Sequence, residues 1–416
     1  AGKKDVPAEE PKKEPEKKKA ALTVQLPVKD GAVFINGRFR GYGTVTTDAE
    51  PGKTLTVLVK AKGFENFTAT VTLADGETKE LKPELVRQKL LDRVKWIQGM
   101  GSPIMVRPAY YKNLIVVGTG DGKLICMTRD GARQWTLNLE RRIESTPVFS
   151  GAVMYVVSNN EHLYAVNVYN GKVLWKFKML GTLLFESSPL VEDNRVIVAS
   201  SYGRVYALSL NGKELWRRDI ESGIFSSPTY HGGMVYVGSE DNRLHALAAD
   251  SGKVKWKMKM DGRVIASSPV IEKGLLLIGS YAGTFYGIDI EKGRPKWTFK
   301  TGDSILSSPS VHRGRVYFGS NDRHLYCLNI EDGKQVWKFD AGEKVVARPA
   351  VLGNTICVAG GTTLYALDAA GGGVQWKHTF QSRIKTSAVT AYDDLVLGLE
   401  NGQVASLRSN LQVIVR

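Results

Sequence analysis

From Val94 onward the chain alternates short apolar runs with polar turns at a regular interval. One copy reads YFGSNDRHLYCLNIEDGKQVW (317–337). It holds two strand-like runs, a Gly-Ser-Asn-Asp break, an Asp-Gly turn and a last run ending in Trp. Runs of this kind, bounded by turn residues, predict antiparallel hairpins. The eight Trp residues, Trp96, Trp135, Trp175, Trp216, Trp256, Trp297, Trp337 and Trp376, stand 39–41 residues apart, and no Trp falls outside the series. A period near 40 with about four short strands per copy predicts propeller blades. Solenoid and sandwich repeats are usually shorter or less uniform.

Other positions recur with the Trp. An anchor Pro follows it, at Pro108, Pro147, Pro189, Pro228, Pro269, Pro309 and Pro349, with Ala388 in the eighth slot. A small residue recurs one strand later (Gly118, Ala199, Gly238, Gly279, Gly319, Ala359 and Gly398, against Val157), and another on the next strand (Cys126, Ala165, Ala207, Ala246, Gly287, Cys327, Ala366 and Ser406). Small residues let blades approach, and the Trp fills the wedge that opens as they fan outward. Eight slots predict eight blades. The eighth runs out near Arg416, whereas Trp96 precedes Pro108 with no blade of its own before it. RVKWIQ (93–98) is therefore expected to complete the eighth blade and remove an open edge, with LQVIVR (411–416) as the competitor for that place.

Ahead of the ring, residues 1–20 carry seven Lys and five acids with almost nothing apolar, which predicts a disordered tether. Residues 21–85 alternate apolar and polar positions in LTVQLP, AVFING, LTVLVKA and FTATVTL, and predict a small β domain. Leu85, Leu90, Leu91 and Val94 have helical spacing, so 86–92 are expected to form a helical connector to the ring at 93–416.

ALDAAGGGVQW (366–376), CLNIEDGKQVW (327–337) and AVNVYNGKVLW (165–175) resemble the A-x-D-x-x-x-G-K-x-x-W repeat of pyrroloquinoline-quinone-type propellers. That family includes quinoprotein dehydrogenases, BamB-like outer-membrane assembly lipoproteins and ectodomains of bacterial receptor kinases. The stretch from Pro27 to Leu73, with its G-A-x-x-I-N-G hairpin and K-G-F, resembles a PEGA domain. The expected fold is all-β: an eight-bladed propeller of four-stranded blades preceded by a small β-sandwich-like domain. The resemblance implies a non-catalytic, periplasmic or cell-surface binding scaffold, with a kinase ectodomain and a dehydrogenase as the alternatives. The first residue is Ala rather than Met, so a removed leader or a longer upstream region is expected, and a lipid anchor or membrane helix would suit the tether. No stretch approaches the ~18 apolar residues of a membrane helix.

The net charge of +15 is uneven. The tether accounts for +2 and 21–86 balance eight basic against eight acidic residues, which leaves +13 on the propeller. A surface of that sign suits an anionic partner, such as an acidic protein face. Nucleic acid is not expected, since no recognised nucleic-acid motif is present and the aromatics follow the blade pattern. The segment ahead of each Pro supplies the candidate site. Four residues before the Pro, every copy is apolar: Ile104, Ile143, Phe185, Ile224, Ile265, Ile305, Val345 and Ile384. The residues three and one before it vary, as though freed from packing. Arg107, Arg348 and Lys385 fall on adjacent blades as a basic arc, Glu144 and Glu186 follow, and Phe225 and Leu306 mark an apolar arc. These seven are the expected lining of a channel mouth that receives a protein or peptide segment with acidic groups.

No cofactor or metal is expected. Quinoproteins hold Ca2+ with carboxylate and amide oxygens, and many place two adjacent Cys against the quinone, whereas Cys126, Cys327 and Cys357 are dispersed. H-E-x-x-H, G-x-S-x-G and P-loop motifs are missing from the sequence, and His245 stands where other copies have Tyr. Calorimetry with pyrroloquinoline quinone and Ca2+ should show no saturable heat. A dissociation constant in the micromolar range would restore the oxidoreductase class.

Overall fold

The computed structural model describes residues 19–61, 66–85, 93–180, 187–264 and 266–408. The chain separates into two compact units, which divide at Leu91 and Asp92. The first contains β1 (Ala20–Val24), β2 (Ala32–Ile35), β3 (Arg38–Tyr42), β4 (Val45–Ala49), β5 (Thr54–Lys60), β6 (Phe67–Thr72) and β7 (Thr78–Leu81). They form two sheets, ordered β4-β1-β7 and β3-β2-β5-β6, and only the β1–β7 pairing is parallel. Alternation along the strands sends Leu22, Val24, Val33, Ile35, Val57 and Val59 into one core. Asn36 and Gly37 both have positive φ, which matches the twist of a two-residue hairpin. Ala20, expected in the tether, is instead buried in β1 opposite Ala49. The alternation that buries Leu22 also buries the residue two before it. The rest of the tether up to residue 18 and the connector at 86–92 lie outside the described residues.

The second unit is the propeller. It opens with β8 (Val94–Gly99), and its first blade holds β9 (Ala109–Tyr111), β10 (Leu114–Gly118), β11 (Lys123–Thr128) and β12 (Arg133–Asn138) in an antiparallel meander. Six blades repeat it over 148–178 (β13–β16), 190–219 (β17–β20), 229–259 (β21–β24), 270–300 (β25–β28), 310–340 (β29–β32) and 350–379 (β33–β36). The eighth has β37 (Val389–Ala391), β38 (Asp394–Gly398) and β39 (Gln403–Arg408), and β8 supplies its fourth strand. The first strands of neighbouring blades approach one another around the axis, from β13 and β17 round to β37 and β9. There is no helix among the described residues.

Each Trp lies on the outermost strand, directly opposite the small residue of the strand beside it: Trp135 faces Cys126, Trp216 faces Ala207 and Trp297 faces Gly287. Its indole then reaches the next blade. Trp135 donates from Nε1 to the Val168 carbonyl at 2.8 Å, Trp216 to Ala249 at 2.9 Å and Trp297 to Ile330 at 2.8 Å. Its ring lies against the turn glycine of that blade. At Gly252 (φ +66), a Cβ would stand 2.5 Å from the Trp216 ring, so both the conformation and the contact require glycine. Trp376 has a different cover: the Arg93 guanidinium sits 4.1 Å from its ring centre.

Closure follows the same rule. β8 pairs with β39 so that Trp96 faces Ser406, and the Trp96 indole donates to the Arg129 carbonyl of the first blade at 2.9 Å. Asp394, almost fully buried, accepts from Lys95 on β8 at 3.1 Å and from Arg129 at 2.8 Å, and so joins the eighth blade to the first. The competing stretch 411–416 lies outside the described residues.

Deleting residues 1–98 should lower the melting temperature far more than deleting 1–85; equal melting would show that β8 does not close the ring. Trp216→Ala should cost about 3–5 kcal/mol in denaturant unfolding, as a large core truncation.

Candidate functional site

The segments that lead into the innermost strands are positioned by one repeated contact. The apolar residue four before the Pro enters the space left by the small residue of a neighbouring blade. Ile143 meets Gly118, Ile305 meets Gly279, Val345 meets Gly319 and Ile104 meets Gly398. A Cβ at Gly238 would stand 2.3 Å from Val264, so in the fifth blade Val264 fills this place. The physical reason is length. Trp256 and Pro269 are 13 residues apart, against 12 between Trp297 and Pro309, and the pocket takes the earlier residue. Ile265 itself lies outside the described residues.

With that side chain fixed, the residue three before the Pro turns to the axis. Met105, Glu144, Ala266, Leu306, Val346 and Lys385 line a single cavity of about 480 Å³ at the end of the channel. Ser308 and Arg348 enter it from the position one before the Pro. Four expected site residues therefore converge: Glu144, Leu306, Arg348 and Lys385. Arg107 is not part of the lining, but its charge acts on Arg348. Phe225 is buried beside Gly223 and does not line the cavity, and Glu186 lies outside the described residues.

The sequence reading missed Lys344, Arg383 and Glu400, which line the same cavity. Lys344 and Arg383 stand five residues before the Pro slot, directly ahead of the apolar anchor, whereas Glu400 lies on the turn between β38 and β39. Bridges between Ile104 and Thr119 and between Ile384 and Leu399 bring those two loop classes together. The expectation that the position one before the Pro is free of packing also fails. The backbone N–H of Ser188 donates to the Ser227 hydroxyl at 2.8 Å, that of Ser227 to Ser268 at 2.9 Å, that of Ser268 to Ser308 at 2.9 Å and that of Arg348 to Ser387 at 2.8 Å. This position carries a hydrogen bond between neighbouring blades, which a local reading of one repeat does not reveal.

The charges in the cavity are unequally compensated. Glu144 is held by Arg142 at 3.1 Å and by the Asn159 amide at 2.7 Å, and Arg383 is ion-paired with Glu343. Among the described residues, no carboxylate lies within 4.0 Å of the side-chain nitrogens of Lys344, Lys385 or Arg348. Burial, reinforced by Arg107, pushes the Arg348 guanidinium down to about 10, so it stays charged at neutral pH. A second cavity, of about 430 Å³, is lined by Glu161, Leu180, Tyr202 and Arg204, but its Arg204 is already engaged by Asp219.

Elsewhere the reactive residue types have structural roles. His245 is buried, with Nε2 3.2 Å from Asp241 and 3.3 Å from Ser239. Both partners address the same nitrogen, so the three do not form a relay of serine, imidazole and carboxylate. The contact corresponds to that of Tyr326 with Asp322, at 2.6 Å. Burial lowers the affinity of His245 for a proton. Cys126, Cys327 and Cys357 are buried free thiols, and burial pushes Cys126 and Cys357 up to about 12. Among the described residues no three His, Cys, Asp or Glu converge as a metal site.

Comparison with known proteins agrees with this architecture. A family model described as outer membrane protein assembly factor BamB matches residues 88–223, 203–310 and 300–410, and a PEGA domain model matches 20–89. BamB of Moranella endobia (strain PCIT) is 26% identical over 265 residues, which is 56% of this chain and 66% of that protein. BamB of Yersinia pestis is 27% identical over 180 residues, 39% of this chain and 45% of its own length. The chain thus spans between about half and two thirds of these two relatives. The crystal structure of BamB from Moraxella catarrhalis superposes with a TM-score of 0.65 at 18% identity, over 75% of this chain and 98% of that one, which speaks for the fold. With well over half of its length matched by the family model, the chain belongs to the BamB family of β-propellers and carries a PEGA domain ahead of the ring.

Proposed function

We propose that the chain is a non-catalytic, extracytoplasmic binding scaffold of the bacterial cell envelope, of the assembly-factor kind that its relatives' names describe. It receives a protein or peptide segment at the channel mouth. One observation carries the reading: cations without counter-ions and an apolar wall face the same cavity of about 480 Å³. Sites of ~300–1,000 Å³ with an apolar lining and a few polar groups are the usual form for ligand recognition. Acidic groups of the segment meet Arg348 and Lys385, with Arg107 and Lys344 adding to the field, while apolar groups meet Leu306, Met105 and Val346. With Glu144 already held by Arg142 and Asn159, the lining carries an excess of positive charge between low-dielectric walls, which favours an incoming anion.

A labelled peptide that alternates Glu and Leu should bind the full chain more tightly than its Gln counterpart, and added salt should weaken the binding. Lys344→Glu combined with Lys385→Glu should reduce the affinity at least tenfold and leave the melting temperature nearly unchanged. Equal binding of the Gln peptide, or of the double variant, would place the partner on the outer loops or on the PEGA domain.

A further inference from the structure

The eight blades allow the chain to be compared with itself. At the position one before the Pro, most blades carry Ser, and four of these hydroxyls accept a backbone N–H from the preceding blade. A hydroxyl is thus the structural solution at this place. Two blades depart from it, with Arg107 and Arg348. In the seventh blade no such hydroxyl meets the Ser308 N–H, because position 348 holds a long cation that opens into the cavity. A hydrogen bond between blades has been replaced by a charge.

The placement of that charge adds to its cost. Protein surrounds Arg348 on most sides, and the remaining surface faces the cavity. Its Nε donates to the Ser310 hydroxyl at 3.0 Å, and that hydroxyl in turn donates to the Pro349 carbonyl at 2.6 Å. The guanidinium is therefore pinned through one nitrogen. Among the described residues no carboxylate pairs with it, and the charge that acts on it is the like charge of Arg107. A largely enclosed cation lacking a counter-ion is unfavourable, and a fixed planar fork suits a carboxylate approaching with both oxygens. In the same lining Leu306, Ala266, Met105 and Val346 supply hydrocarbon, and Lys344 and Lys385 supply further positive charge.

We propose that Arg348, oriented by Ser310, anchors a carboxylate-binding site within the channel mouth, and that the ligand is a carboxylate carried on a short apolar group, as at a peptide terminus or an acidic side chain next to an apolar one. This rests on the scaffold reading for its biological partner, but it makes its own claim about a small anion.

The test uses the full chain and N-acetyl-L-leucine, with N-acetyl-L-leucinamide and inorganic phosphate as comparisons. The carboxylate should bind in calorimetry and raise the melting temperature, the neutral amide should bind at least tenfold more weakly, and phosphate should not compete. N-acetyl-L-glutamic acid α-amide, which carries its carboxylate on a side chain, separates the two sources, and binding of either carboxylate supports the site. Arg348→Ser restores the residue type of the other blades. It should abolish carboxylate binding and, without ligand, melt above the parent, since it regains the bond to Ser308 and removes an uncompensated charge. Arg348→Lys keeps the charge but loses the fork, and should bind several-fold more weakly. Equal binding by Arg348→Ser, equal binding of the amide, or tighter binding of phosphate would overturn the proposal. The Glu-Leu peptide separates the two readings. If it binds while no carboxylate does, the scaffold reading stands and this site falls; if the carboxylate binds and the peptide does not, the reverse holds.

Discussion

The ring depends on one indole per blade that belongs to two blades at once. Each Trp is seated by the small residue opposite it on its own sheet and reaches across to its neighbour, where six of the eight indoles donate a hydrogen bond. A propeller blade is a twisted sheet that cannot bury both faces alone. Its core is shared with its neighbours, so one large rigid side chain at the widening edge fills what aliphatic residues would leave empty. The turn glycine is a consequence of that choice, because the indole occupies the space a Cβ would need, and at Gly287 the neighbouring strand yields in the same way. The same logic accounts for Arg93 over Trp376, where a planar cation provides the cover.

The inner end of each blade follows a second constraint. An apolar side chain locks into the gap beside a neighbouring glycine, and the backbone then has little freedom until the Pro. This is why the residue three before the Pro reaches the axis in blade after blade, although it differs in kind from Met105 to Glu144 to Lys385. A rigid frame with interchangeable inward positions separates fold from recognition. The cavity can change its chemistry without a change to the sheets. Arg348 lies at the limit of that freedom, since its position has a structural task in other blades.

Much of this was legible in the sequence. The Trp period, the small slots and the displaced Trp96 led to eight blades and to closure by β8, because each reports packing within one repeat or between adjacent ones. The site was legible in part. Glu144, Leu306, Arg348 and Lys385 converge as expected, because the Pro segments share one geometry. The remainder depended on distances along the chain that periodicity does not encode. A single added residue between Trp256 and Pro269 leaves Val264, five before the Pro, in the anchor place. The hydroxyl bonds join residues about 40 apart in sequence, and Glu400 arrives from a turn whose direction only the folded ring sets.

Closure by β8 also sets an order of events during synthesis. The strand that will complete the last sheet is the first part of the ring to be made, and its partner β39 is the last. Until β39 exists, Val94–Gly99 has no neighbour with which to pair, and Lys95 waits for Asp394, 299 residues away. The blades between can form as local meanders and stack on one another, since each needs only its own hairpins and the next blade's edge. Joining the two ends then carries the whole entropy of closing a long loop in one late step. The nascent ring is an open arc with an unpaired edge at one end and an unfilled Trp wedge at the other. Its most exposed moment comes just before β39 is made, when almost all of its core is already built.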